Sequence, residues 1–254
     1  MKRIFITGST DGLGLAAARA LMGNGHEVLL HARTRARADT LAADAQRALG
    51  VVIGDLASLS ATRQLADAVN RHGRMDAVIH NAGVYLARRS MTPDGHSATL
   101  AVNTLAPYVL SASILRPRRL IYLSSRMHRG GDASLHDIDW TARPWSQSQA
   151  YSDSKLFVTT LTLALARRWP DVLCHAVDPG WVPTRMGGAD APDDLQRGHE
   201  TQVWLAGSEA PPVLRTGGYW YHLQRQAPHA AATDSAFQDR LLSKLAELTG
   251  VTLD

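Results

Sequence analysis

Short apolar runs alternate with longer amphipathic stretches along the whole chain. Residues 4–7, 27–31, 51–54, 77–80, 120–123, 173–177 and 218–221 are brief and apolar, and they read as strands. Several are apolar at consecutive positions, the pattern of parallel strands covered by helices on each face. Between them, residues 13–23, 35–49, 59–72, 95–115, 150–169 and 198–206 read as helices, and residues 235–248 as a last one. Strand–helix alternation of this kind predicts an α/β fold with one doubly wound, mostly parallel sheet and right-handed crossovers. Three stretches break the rhythm. Residues 126–149 are a polar, Gly-containing insertion bearing Trp140 and Trp145, residues 182–197 are rich in Pro, Gly and Asp, and residues 224–232 read as a further loop.

Composition narrows the class. With 45% hydrophobic and 20% charged residues, the 254-residue chain can build one large α/β domain over 1–254, and no linker or repeat divides it. The formal charge of +4 comes from dispersed residues rather than a basic tail, which disfavours nucleic acid as a partner. The single cysteine, Cys174, excludes an internal disulfide framework and reads as a small buried side chain. The basic start Met1-Lys2-Arg3 precedes an apolar run too short for a signal peptide, and no later run is long enough to cross a bilayer. A soluble, cytoplasmic protein with no membrane partner is the expectation.

Two local patterns carry chemistry. The first strand runs into Thr7-Gly8-Ser9-Thr10-Asp11-Gly12-Leu13-Gly14, a strand-to-helix turn whose amides can approach a pyrophosphate. Farther on, Tyr151 and Lys155 stand four residues apart, a spacing that shares one face of a helix. An ammonium beside a phenol favours the phenolate and lowers its pKa. Lysine is scarce here, with Lys2, Lys155 and Lys244 against a large excess of arginine, so a compact point charge at this position is informative. The histidines at 128, 136, 199, 222 and 229 lack metal-ligand spacing, read as surface or loop residues, and lead to no expected metal.

Taken in order, Thr-Gly-x-x-x-Gly-x-Gly, His80-Asn81-Ala82-Gly83, Ser124-Ser125 at a strand end, Tyr-x-x-x-Lys and Pro179-Gly180 resemble the short-chain dehydrogenase/reductase family over nearly the whole chain. The long gap from Ser125 to Tyr151 is similar to the retinol-dehydrogenase-like and protochlorophyllide-reductase-like branch, where such an insertion helps wall the substrate site. The resemblance implies a Rossmann fold with seven strands in the order 3-2-1-4-5-6-7. It implies catalytic roles for Asn103, Ser125, Tyr151 and Lys155. Tyr151 would be the general acid/base, and Lys155 would tune it and hold the nicotinamide ribose. Ser125 would donate to the substrate oxygen, with Ser124 a rival, and Asn103 would interrupt a helix and hold a water. A mid-helix Asn in an apolar run is unfavourable without such a purpose. His80, in place of the family's usual Asn, reads as a buried, hydrogen-bonded histidine.

Cofactor contacts implied by the same resemblance fall on Gly8, Ser9, Thr10, Asp11, Gly12, Leu13 and Gly14. They also fall on Asp55 and Leu56 at the adenine, on Asn81, Ala82 and Gly83 along the ribose, and on Tyr151 and Lys155. Pro179, Gly180, Val182 and Thr184 complete the set at the nicotinamide, with Met186-Gly187-Gly188 as a lid. Capping the following helix is an equal alternative for Asp55. Arg33 stands where NAD-specific members carry an acid and would attract a 2′-phosphate, with Arg37 as helper, so NADP(H) is expected over NAD(H). Trp140, Trp145, Trp181 and Tyr219-Trp220-Tyr221 point to an apolar or aromatic carbonyl or alcohol as substrate. The expected activity is hydride transfer between NADPH and that substrate. A non-catalytic NADP(H)-binding regulator and a sugar-nucleotide epimerase are the alternatives. The family often forms homodimers or homotetramers through the helices holding Asn103 and Tyr151, an arrangement the short charged connection at 115–119 puts in question.

Overall fold

The apolar runs assemble into one sheet in the computed structural model, which describes residues 1–253. Its strands are β1 (Arg3–Ile6), β2 (Glu27–Ala32), β3 (Gly50–Ile53), β4 (Ala77–His80), β5 (Arg119–Leu123), β6 (Leu173–Asp178), β7 (Gly218–Tyr221) and β8 (Gln224–Gln226). They lie in the order β3-β2-β1-β4-β5-β6-β7-β8, with the first seven parallel and β8 antiparallel to β7. The helices are α1 (Gly12–Gly23), α2 (Arg35–Asp39), α3 (Ala42–Ala45), α4 (Leu59–Asn70), α5 (Ala98–Leu100), α6 (Ala106–Ser113), α7 (Gln147–Arg168), α8 (Leu195–Gly207), α9 (Ala230–Thr233) and α10 (Ser235–Thr249).

Successive strand residues face opposite sides, so a strand apolar throughout feeds two cores. Ile4 and Ile6 of β1 pack with Ala17 and Leu21 of α1 and Leu205 of α8. Phe5 between them packs into the opposite core with Leu65 of α4, Leu110 of α6 and Phe157 of α7. Strand order runs outward from β1 in one direction and from β4 in the other. The crevice left at their carboxyl ends is where the site forms.

The sheet has eight strands rather than seven, because the tight turn at His222 and Leu223 returns residues 224–226 to the edge as β8. Both turn residues are left-handed, with φ of 46° and 65°. Such turns ordinarily carry Gly or Asn. Here tertiary contacts hold the geometry: Leu223 N donates to Thr201 Oγ1 on α8 at 3.0 Å, and the His222 ring stacks on Tyr221 at 3.9 Å. Two predicted helices are also broken. Residues 35–49 divide into α2 and α3, and residues 95–115 become α5, a π-helical turn over Ala101–Leu105, and α6.

Candidate active site

The Gly-rich turn is clamped from both neighbouring strands. Gly8 sits at φ 63°, and its N–H donates to His31 Nδ1 of β2 at 2.9 Å. From the β4 side, the Asn81 amide donates to the carbonyls of Thr7 at 3.0 Å and Gly8 at 3.1 Å, and Ala82 N donates to Thr7 Oγ1 at 3.0 Å. A Cβ on Gly14 would collide with the Gly8 carbonyl and the Asn81 amide, so only glycine fits where α1 passes behind the turn. Ser9 is buried, its hydroxyl accepting from His31 N at 2.8 Å and donating to Ile6 O at 3.0 Å. Its side chain therefore joins β1 to β2 and leaves only its backbone toward the crevice. Thr10 and Asp11 are both bonded by Arg37. No side chain caps α1, so its first-turn amides have no side-chain acceptor. These amides fit an anionic pyrophosphate.

His31 was not anticipated as a site residue. Its Nε2–H donates to Gly54 O at 2.8 Å while Nδ1 accepts from Gly8, which fixes one neutral tautomer. Burial pushes its pKa down to about 4. The signal in the sequence is a histidine set in an apolar strand. Just beyond, Arg33 is exposed at the end of β2. Asp55 does not cap α4: Ser58 does, accepting from Ala61 N at 3.3 Å, while Asp55 accepts from Ala57 N at 3.0 Å in a local turn. Leu56 is buried in the core, so its side chain is committed to packing there.

Tyr151 and Lys155 lie in the first half of α7, which Ser146 caps, and both side chains are buried. Lys155 Nζ donates to Leu123 O at 2.6 Å and lies 5.4 Å from the Tyr151 ring centroid. The Tyr85 ring meets Tyr151 edge-on at 5.0 Å, and Met186 Sδ is 4.0 Å from the phenolic oxygen. The lid segment and the loop after β4 thus meet over the phenol. Burial pushes the Tyr151 pKa up, the Ser125 hydroxyl pulls it back, and Asp178 and Tyr85 push it further up. The Lys155 ammonium, expected to pull the phenol down, is directed at the Leu123 carbonyl. Burial lowers Lys155 to about 8 against the opposing pull of Asp178.

Between the two candidate serines the geometry differs plainly. Ser124 is buried with its hydroxyl 2.6 Å from Thr159 Oγ1 on α7. The Ser125 hydroxyl accepts from Met127 N at 3.2 Å and is close enough to Tyr151 to lower its pKa, and the Ser125 backbone carbonyl accepts from His128 Nδ1–H at 2.7 Å. His128, read from the sequence as a surface or loop residue, is fully buried. Its Nε2 accepts from His229 N at 2.9 Å, tying the C-terminal segment to the serine turn.

Asn103 sits in the π-helical turn and bonds Val84 twice, accepting from its N–H at 2.8 Å and donating to its carbonyl at 3.0 Å. Pro107, four residues on, has no N–H to offer the Asn103 carbonyl. A Cβ on Gly83 would lie 3.4 Å from Asn103 Oδ1 and 3.5 Å from Lys155 Nζ, which brings these three residues together. His80 is buried and stacked on Tyr122 at 4.6 Å, with Nε2 3.3 Å from Ser111 Oγ.

The loop after β6 closes the crevice. Asp178 is buried and accepts from Gly180 N at 3.0 Å, with the Tyr219 hydroxyl at 3.4 Å and Arg126 Nε at 3.7 Å. Val182 and Leu13 both pack against Gly198 of α8, beside the Pro179 carbonyl. The Thr184 methyl would be 3.3 Å from a Cβ on Gly12, so this loop rests on the Gly-rich turn. Of the aromatic residues expected at a substrate pocket, Trp140, Tyr219 and Trp220 are buried in the protein. Trp145 donates to Leu86 O at 3.2 Å, Tyr221 carries the Arg126 guanidinium at 4.7 Å, and Trp181 is exposed. Among the described residues, no group of three or more His, Cys, Asp or Glu side chains is arranged to hold a metal ion. No helix among them is long and apolar enough to cross a membrane.

A family model described as short chain dehydrogenase matches residues 2–194. The chain belongs to the short-chain dehydrogenase/reductase family. It is an oxidoreductase of that family, whose members bind a nicotinamide cofactor. It is 42% identical to the short-chain dehydrogenase chry4 of Gibberella zeae, over 100% of this chain and 99% of that one. It is 35% identical to DnrU of a Streptomyces species, a candidate daunorubicin C-13 ketoreductase, over 92% of this chain and 88% of that one. More distant relatives include retinol dehydrogenases 13 and 14 of human and mouse. A crystal structure of a Mycobacterium paratuberculosis protein superposes with a TM-score of 0.86 at 27% identity, covering 100% of this chain and 95% of that one.

Proposed function

We propose that this protein reduces a carbonyl compound with NADPH, or oxidises the corresponding alcohol with NADP, and that Tyr151 is its general acid/base. The observation that carries the reading is a buried phenol at the carboxyl ends of the strands, with the Ser125 hydroxyl directed at it and Lys155 one helical turn away. The bound nicotinamide supplies hydride chemistry; the protein binds, orients and moves the proton. Burial keeps the phenol protonated at neutral pH, the form that donates to a developing alkoxide. Ser125 Oγ donates to the same oxygen and stabilises its charge as it forms. Lys155, Asn103 and Gly83 sit at one end of the cleft, where the ammonium can hold a ribose hydroxyl.

Gly8, Gly12, Gly14 and the amides of α1 bind the pyrophosphate, with Asn81 keeping the turn in shape. Arg33 is an exposed cation at the end of β2 and favours NADP(H) over NAD(H). The substrate is an apolar or aromatic ketone: Tyr85, Met127, Trp181, Met186 and Leu223, all exposed, belong to segments following β4, β5, β6 and β7. The ketoreductase relative supports the direction of reduction.

Tyr151→Phe tests this reading. NADPH oxidation across a panel of ketones, quinones and enones is expected to fall by about 10²–10⁴-fold in kcat, with NADPH binding retained. A variant within about tenfold of wild type would remove Tyr151 from the chemistry.

A further inference from the structure

Arg37 reaches back from α2 to the Gly-rich turn. Its Nη2 donates to Thr10 Oγ1 at 2.9 Å and to the Asp11 carboxylate at 2.6 Å. Asp11 is the N-cap residue of α1, where an aspartate ordinarily accepts from amides two or three residues on. Here it accepts from none of them, and its carboxylate is turned to Arg37 instead. The first-turn amides of α1 are thereby left to an outside acceptor. A carboxylate at this position is otherwise a handicap, since it would both compete for those amides and repel an anion.

We propose that Arg37 serves the dinucleotide indirectly, by holding the Asp11 carboxylate off the α1 N-terminus and neutralising it. This rests on the dinucleotide site proposed above and goes beyond it in assigning Arg37 no contact with the 2′-phosphate. Two hydrogen bonds of its guanidinium are already committed to Thr10 and Asp11, whereas Arg33, at the end of β2, is exposed and carries no such bond to the turn. The consequence is a distinct pattern of loss. A residue that touches the 2′-phosphate discriminates NADPH from NADH; one that restrains Asp11 affects both alike, because the pyrophosphate is common to them.

The test is a double-mutant cycle on Arg37→Ala and Asp11→Asn, with Kd for NADPH and NADH measured by titration calorimetry. Arg37→Ala is expected to weaken both dinucleotides by a similar factor, about tenfold. Asp11→Asn is expected to bind at least as well as wild type. The double variant is expected to recover to within about threefold of wild type, a rescue that general damage to the turn would not give. Thermal midpoints of the three variants accompany the titrations. A loss confined to NADPH, a loss that persists in the double variant, or no loss in Arg37→Ala each overturns the proposal. If wild-type protein binds neither dinucleotide, the underlying reading of the site fails instead.

Discussion

Three histidines, His31 on β2, His80 on β4 and His175 on β6, are buried in the sheet and kept neutral. Burial lowers them to about 4, about 3 and about 4 respectively. For His31 and His175 the hydrogen bonds fix the tautomer: each donates from Nε2 to a backbone carbonyl and accepts at Nδ1, from Gly8 N and from Trp220 Nε1. In the unfolded chain a histidine takes up its proton near pH 6.5, whereas these wait until about pH 4 in the folded state. Between those values the unfolded chain binds more protons, so stability is full above pH 6.5 and falls as the pH drops. The expected loss is on the order of 1–2 kcal/mol per histidine by pH 5, before carboxylates contribute. Urea midpoints at pH 7 and pH 5 check this, and equal midpoints would contradict it. Because His31 accepts from Gly8 N, the same protonation is expected to disturb the Gly-rich turn first.

At the scale of elements, the end of α8 shows how a buried cation can be structural. Arg119 is the first residue of β5 and is almost fully buried. Its Nη1 donates to Leu205 O at 2.9 Å and Ser208 O at 2.5 Å, and its Nη2 to Glu209 at 2.8 Å. Lys2 adds a bond to Gly207 O at 2.8 Å. The last carbonyls of α8 and its negative end are thereby satisfied from β5 and from Lys2 just ahead of β1. Arg119→Leu is expected to cost about 2–4 kcal/mol in chemical denaturation, because buried carbonyls lose their donors. Lys2→Ala, at the partly exposed partner, is expected to cost about 1 kcal/mol or less. Equal effects would show that burial does not set the difference. The Asn103 turn teaches a related lesson: an Asn inside an apolar run signalled an interruption, but the π geometry depends on Val84, nineteen residues away.

For the whole molecule, the decisive feature is the covering of α7. Every residue from Ala150 to Leu165 is buried within a single chain. Phe237, Leu241 and Leu245 of α10 pack in the same core as Phe157, Leu161 and Leu165 of α7, and Tyr108 of α6 donates to Val251 O at 2.8 Å beyond α10. The helix face expected to meet a second subunit is occupied by the chain's own α9 and α10. A monomer is therefore expected in sedimentation velocity at micromolar concentration. A dimer whose formation survives substitutions on α10 would refute this cover.

The apolar runs were enough to predict the α/β class, while the order of the motifs, through its resemblance to the short-chain dehydrogenase/reductase family, implied the strand order from β3 to β7 and named Asn103, Ser125, Tyr151 and Lys155 together. The runs and motifs themselves are local, with spacing set by the geometry of single strands, turns and helices. The tertiary structure alone decided which serine faces the phenol, that His31 and His128 are buried supports of the site, and that Arg37 engages Asp11. It also decided that residues 224–226 form an edge strand and that α10 covers α7. Each of these depends on groups far apart in the chain meeting at a few ångströms, and in the hairpin at His222 and Leu223 such contacts outweighed what the local residues prefer.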